Sequence, residues 1–358
     1  MPLMLALVAL LLAPNEPVFV DLAQRRDLQT VVDRRPGQYL GHVSSTMLAD
    51  GRTVLITYPQ GHGRGPIVLR RTDDGGQTWS EPLPTPENWA TSQETPTIHR
   101  VWVPGANRER LLVWSGLRPA RIATSDDLGQ TWTPLRSVGG WGGIVVMGSL
   151  AQRKDGTLYA MFHDDGRFFG ESPPRAGFTL YATTSSDGGT SWSYPVALWN
   201  GQDVHLCEPG LVPSPNGDEW IVLLRENRRA QPSHQMVSRD EGRTWSDPIP
   251  AHPALTGDRH TARYLHDGRL FITFRDMRDG ETKGDWVAWI GTYDDLRQRK
   301  PGQYRLRLMD NQDSWDSTYP GLEVLQDGTI LTITYGHWTG GEEPYIVSLR
   351  IPPAEIPH

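Results

Sequence analysis

One eight-residue motif recurs four times along this chain, and its spacing decides what the chain can fold into. The copies are TDDGGQTW (Thr72 to Trp79), SDDLGQTW (Ser125 to Trp132), SSDGGTSW (Ser185 to Trp192) and SRDEGRTW (Ser238 to Trp245). They share the pattern Ser/Thr-x-Asp-x-Gly-x-Thr/Ser-Trp and begin 53, 60 and 53 residues apart. Self-similarity at a period of about 50 residues marks a radial repeat, in which each unit buries its apolar face against its neighbours. Within each copy the Asp and Ser/Thr side chains can tie a tight turn through nearby backbone, and the Gly supplies a positive φ. The Trp then covers the hairpin with an apolar plate, expected against the next blade. Turn chemistry accounts fully for Asp74, Asp127, Asp187 and Asp240, which are therefore read as structural carboxylates.

A second repeat runs out of phase with the first. Each copy is an apolar strand, a tight turn and another apolar strand, as in MLADGRTVLITY (47–58), AQRKDGTLYAMFH (151–163), VPSPNGDEWIVLLR (212–225), RYLHDGRLFITFR (263–275) and EVLQDGTILTITY (323–335). HRVWVPGANRERLLVW (99–114) fits as a degenerate copy with a longer turn, and GTYDDLRQ (291–298) reads as an eroded box. Six hairpins of β-branched and aromatic residues predict an all-β fold, a six-bladed β-propeller of four-stranded antiparallel blades. Residues 17–358 then form one domain, with PVFVDL (17–22) expected as the outer strand that closes the last blade. With 37 Gly and 29 Pro the chain suits many turns between short strands.

Residues 1–16 hold an apolar run ending in Ala13-Pro14-Asn15, too short to span a membrane and similar to the apolar stretch of a secretory signal peptide. A secreted or periplasmic protein is the expectation, with a buried first strand as the alternative. One cysteine, Cys207, excludes an intramolecular disulfide and a cysteine-based metal site. A net charge of -7 gives no reason to expect nucleic acid as a partner. The histidines are scattered without HExxH-type spacing, so no metal or other cofactor is expected.

In a propeller the starts of the innermost strands and the ends of the next ones meet at one mouth. The starts give His42, Glu94, the 141–149 stretch, Glu208, His260 and Tyr319. The ends give His62 and Arg64, Arg118, then His163, Asp164, Asp165 and Arg167, then Arg225, Arg275 with Arg278, and Tyr335 with His337. Ordinary turns would be filled with Gly, Asn and Ser. Convergence of Arg, His, Glu, Asp and Tyr instead points to a site for a polar ligand such as a glycan.

The box motif resembles the Asp-box (BNR) repeats of sialidases, and the resemblance extends over the chain from about residue 37. CEPGLVPSPNGDEWIVLLREN is similar to the sialidase blade in which a Glu precedes the hairpin and an Arg ends it, and STYPGLEVLQDGTILTITYG is similar to the blade that carries the sialidase Tyr. The resemblance implies an exo-acting glycoside hydrolase releasing a terminal, sialic-acid-like anionic sugar. Tyr319 would be the nucleophile, Glu208 its base, and Arg225 and Arg275 a clamp on the sugar carboxylate. Glu94, Arg167, His260 and His337 would contact the sugar from the remaining blades.

Two departures from the family pattern stand in the first blade. His42 occupies the place of the family's first arginine, so Arg64, Arg118 or Arg278 would have to complete the clamp. The following loop, YPQGHGRGP (58–66), lacks the family's acid/base Asp. His42, His62, Asp164 or Asp165 would supply the proton instead. The bland alternatives are a rim salt bridge for Glu208, interblade packing for Tyr319, and pairing of the arginines with Asp276 or Glu226. A polysaccharide lyase acting on a uronate and a non-catalytic glycan- or protein-binding propeller remain alternative functions.

Overall fold

A computed structural model describes residues 16–169, 177–313 and 315–356. The apolar run read as a signal peptide therefore lies outside the described residues, apart from Glu16. Six small sheets follow one another along the chain. Their innermost strands are Ser44–Met47, Thr97–Val103, Ile144–Gln152, Leu206–Pro213, Gly257–Tyr264 and Gly321–Val324. Each pairs antiparallel with the second strand of its hairpin. This is the six-bladed β-propeller that the hairpins predict. Second strands such as Val54–Pro59 and Leu158–Asp164 are buried along their whole length because they are sandwiched between neighbouring blades. Among the described residues no helix is long and apolar enough to cross a membrane.

The first blade has three strands and the fifth has five. The extra strand is Val18–Asp21, which pairs parallel with Tyr304–Met309 at the outer edge of the fifth blade. The expectation that residues 17–22 close the last blade is thus corrected. Gln29–Asp33 does so by pairing with Tyr345–Ile351. The reason is visible in burial. Val18–Asp21 is largely exposed, whereas Gln29–Asp33 brings Val32 and Asp33 inside. Asp33 then accepts from Tyr58 Oη at 2.7 Å and pairs with Arg70 at 3.1 Å, joining the last blade to the first.

Each box works as its residues suggest. In the second, Asp127 accepts from Ser125 Oγ (2.7 Å), Thr131 N (2.9 Å) and Thr131 Oγ1 (2.5 Å), while Ser125 Oγ accepts from Gly129 N (2.8 Å). The Thr131 hydroxyl and amide hold the Asp127 carboxyl down at about 2. The Trp plates, however, cover the preceding blade. Trp192 packs edge-on against Trp114 at 4.8 Å, and Trp245 Nε1 donates to Tyr159 Oη at 3.0 Å. The positive-φ glycines bring the box backbone against the preceding blade. A Cβ at Gly76, Gly129, Gly189 or Gly242 would collide with Leu331, Leu55, Leu112 or Tyr159 respectively. The eroded copy folds as a short helix, Tyr293–Arg297, started by a capping box between Thr292 and Asp295. Asp127→Ala is expected to lower unfolding stability by about 1–2 kcal/mol through loss of these bonds. Activity per folded molecule should be unchanged, because the boxes and the mouth lie on opposite faces. Denaturant melts paired with active-site titration check both halves.

At the mouth the innermost strands deviate from regular β structure. His42, Met147, Glu208, Arg259 and Thr318 all have φ between 52° and 59°. In the third, fourth and fifth blades the pairing register shifts at that point. Bulges of this kind re-aim side chains, and left-handed non-glycine residues cost about 1–3 kcal/mol each unless the surroundings impose them. Five such residues at equivalent places around one opening mark it as built for a purpose.

Candidate active site

The strand starts of every blade but the fifth line a cavity of about 300 Å³. Of the residues singled out in the sequence, Tyr319, Glu208, His42, His62, Arg225, Arg64, Glu94, His163 and Arg167 line it. A larger cavity of about 480 Å³ lies elsewhere along the channel, between the inner strands.

Glu208 is the hub. Its side chain is buried, and Oε1 accepts a very short hydrogen bond from Tyr319 Oη and a charge-assisted one from Arg225 Nη1 at 2.6 Å. Oε2 is buried without a protein partner. Burial alone would push this carboxyl up, but the Arg225 guanidinium, together with the Tyr319 hydrogen bond and His163, brings it below its ordinary value, so Glu208 is ionised. Burial and then the Glu208 charge push the Tyr319 phenol well above its usual value. The pair therefore shares one proton at neutral pH, carried by the phenol.

Asp316, three residues before Tyr319, organises the opposite wall. It accepts from Tyr39 Oη (2.9 Å) and Tyr335 Oη (3.0 Å), and lies 3.3 Å from His62 Nδ1. His62 Nδ1 also lies 2.8 Å from Tyr39 Oη; with the Tyr39 hydroxyl donating to Asp316, Nδ1 carries a hydrogen and Nε2 is left for the cavity. The Asp316 hydrogen bond raises the His62 pKa above its ordinary value. His42 behaves oppositely. Its Nδ1 accepts from Gly63 N at 3.1 Å, which fixes the loop carrying His62, and burial followed by the His62 charge keeps its ring neutral. The His42 ring also packs against Tyr319 at 4.5 Å.

Several sequence-chosen residues stand away from the cavity wall, among them Arg278, which pairs with Glu16 at 2.6 Å. Asp164 is fully buried and accepts from the backbone N–H groups of Gly166, Phe168 and Phe169, so it ties a turn and cannot reach a substrate. Arg275 donates through Nε (2.9 Å) and Nη2 (2.6 Å) to Asp258, and through Nη1 to Ser317 O (2.8 Å). Its carboxylate partner is thus Asp258, while the adjacent Asp276 pairs with Arg305. His260 faces Phe274 and the Leu255 carbonyl. His337 lies against the Glu342 carbonyl in an outer loop. Arg118 is exposed on a loop that the cavity wall does not include. Among the second candidates for the acid, Asp165 is held by Arg167 at 2.7 Å.

Among the described residues no three His, Cys, Asp or Glu side chains gather into a group that could hold a metal ion. Asp258, Asp316 and Arg259 were not singled out from the sequence, although each stands within three residues of one that was.

Residues 99–333, more than half of the chain, match the family described as the BNR repeat-like domain. The chain belongs to that family. A search of the curated proteins finds no match to this BNR repeat-like chain. Among solved structures it is similar to a protein of unknown function from Dyadobacter fermentans, with 16% identity, a TM-score of 0.70, and 90% of this chain and 97% of that one covered. It is also similar to the GH93 α-L-arabinofuranosidase of Fusarium graminearum in complex with arabinobiose (16% identity, TM-score 0.62, 90% and 97% covered). A third is the intramolecular trans-sialidase from Ruminococcus gnavus with oseltamivir carboxylate (15% identity, TM-score 0.60, 88% and 95% covered). At these identities the likeness concerns the fold.

Proposed function

We propose that this BNR repeat-like propeller is an exo-acting glycoside hydrolase with Tyr319 as nucleophile, Glu208 as its base and His62 as proton donor. The observation that carries the reading is the hydrogen bond from Tyr319 to a buried Glu208 that Arg225 keeps ionised. A phenol with a raised pKa attacks only if its proton leaves as the new bond forms, and Glu208 Oε1 is already its acceptor. His62, its pKa raised by its contact with Asp316, presents Nε2 for the departing glycosidic oxygen. Water then hydrolyses the glycosyl–tyrosine bond, with the proton returned by the same route. A cavity of about 300 Å³ is small for a ligand site and suits a single terminal sugar unit. That glycan-processing enzymes stand among the similar folds supports the class.

The sugar is neutral on this reading. The anionic sugar expected from the resemblance needs arginines free to grip a carboxylate, and here Arg275 is saturated by Asp258 and Ser317 while Arg225 serves Glu208. A panel of aryl glycosides tests this, with an α-L-arabinofuranoside and a sialoside side by side. Turnover of a neutral glycoside with little release from the sialoside is expected. A preference for the sialoside that vanishes on esterifying its carboxylate would reverse the assignment, with Arg64 on the rim as the anchor. No turnover of any glycoside, with a uronate polymer gaining ultraviolet absorbance, would favour the lyase.

The proton donor makes a separate prediction. Asp316 raises the His62 pKa, so the alkaline limb of kcat/KM should lie above the ordinary histidine value. Asp316→Asn should move that limb to lower pH, because His62 then loses its proton earlier. An unmoved limb in a folded variant would remove His62 from the mechanism.

A further inference from the structure

Arg259 holds the same place in the fifth blade that Glu208 holds in the fourth, a left-handed residue in the bulge of the innermost strand with φ 56°. Its guanidinium lies 5.9 Å from the centre of the Tyr319 ring and is buried with 8% of the residue exposed. Nη1 is fixed on Gly148 O at 2.9 Å, and a Cβ at Gly148 would press on that nitrogen. Other buried arginines of this protein have a carboxylate in contact: Arg225 has Glu208, Arg275 has Asp258, and Arg305 has Asp276. Among the described residues Arg259 has none. Burying an unpaired cation is costly, so its position calls for a use.

The charges nearby show which use is open. Glu208 and Glu94 act on Arg259 through space, without contact. Around the Glu208–Tyr319 pair, Asp258 is matched by Arg275, Arg225 and Arg229, and burial keeps His42 and His163 neutral, the latter down at about 4. Cys207 and Tyr335 are buried and held protonated. Arg259 is a buried cation beside the pair with no carboxylate in contact among the described residues, whereas Arg64, also without one, stands exposed on the cavity rim.

We infer that Arg259 is a positioning residue that acts by its field, keeping negative charge on the Glu208–Tyr319 pair and on the phenolate as Tyr319 attacks. The inference rests on the reaction proposed above. Arg259→Met retains the length and removes the charge. It should leave the melting temperature unchanged or raised, lower kcat/KM by about 100-fold, and move the acid limb of the pH profile upward, since Glu208 becomes harder to ionise. Arg259→Lys should restore most of both. A carbon-13 NMR titration of the Glu208 carboxyl should show the same upward shift in the Met variant. That readout needs no substrate, so it still tests Arg259 if no glycoside is turned over and the proposed reaction itself fails. A Met variant that melts lower, with the carboxyl titration unmoved, would make Arg259 a packing residue and overturn the inference. So would a wild-type melting temperature that climbs with added formate or chloride while the Met variant ignores it, because the guanidinium would then serve an anion in the channel.

Discussion

Tyr319→Phe is expected to lower kcat by at least about 10³-fold while the protein stays folded, because the substitution removes one oxygen and leaves the ring in its packing. The ring sits against His42 at 4.5 Å and under two guanidinium groups, contacts a phenyl ring retains. Glu208→Gln should cost activity on a similar scale, about 10²–10⁴-fold, by removing the base. It should also cost stability, since Arg225, at 14% side-chain exposure, would lose the nearer of its two carboxylate partners and keep only Asp258 at 3.3 Å. The double variant should be little worse than either single one, because both residues serve one proton transfer. Steady-state kinetics on purified, folded variants decides the matter. If Tyr319→Phe keeps most of its activity and Glu208→Gln does not, the carboxylate itself attacks the sugar, and Tyr319 only orients it. The cavity would then hold the two carboxylates of the more usual glycosidase plan, Glu208 and Glu94.

The parts of this molecule that were legible in its sequence are those whose physics is local. A box closes within eight residues, and bonds such as Thr131 Oγ1 to Asp127 depend on no distant partner. The hairpins are equally local, so six blades could be counted from the chain alone. Glu208, Arg225 and Tyr319 were found because each sits at a fixed offset from a hairpin. What escaped depends on register and on long-range contact. The hairpin pattern alone points to His260 at the strand start, in the place that the bulge gives to Arg259. A shift of one residue in a strand exchanges its two faces, so the wrong neighbour was chosen. Asp316 precedes its strand, and its value as a site residue appears only when Tyr39 and His62 arrive from the first blade. The closing strand was misplaced for a related reason. Two short apolar segments near the N-terminus compete for the last blade, and Asp33 meeting Tyr58 and Arg70 distinguishes them only in three dimensions.

Asp258→Asn is expected to destabilise the fold by about 3–5 kcal/mol at neutral pH, a large share of the roughly 5–15 kcal/mol that holds a typical domain together. Asp258 is fully buried and touches three guanidinium groups: Arg275 at 2.6 Å, Arg229 through Nη2 at 2.7 Å, and Arg225 at 3.3 Å. An amide of the same size would leave those cations facing one another with their counter-charge gone. Burial pushes this carboxyl up, but Arg275, Arg225 and Arg229 together hold it far below its ordinary 3.8. A depressed folded-state pKa stabilises the native state above the unfolded value, and that stability drains away as pH falls below about 3.8 towards the folded value. The gap between wild type and variant in urea unfolding should accordingly be full at pH 7 and shrink below about pH 4. The same geometry separates a structural from a substrate-binding role for Arg275. With Nε and Nη2 on Asp258 and Nη1 on Ser317 O, Arg275→Met should lower stability and leave KM for a neutral glycoside in place. A stable Arg275→Met protein whose KM rises sharply would show that the guanidinium leaves Asp258 to meet the substrate, and the carboxylate clamp would return as the working arrangement of the site.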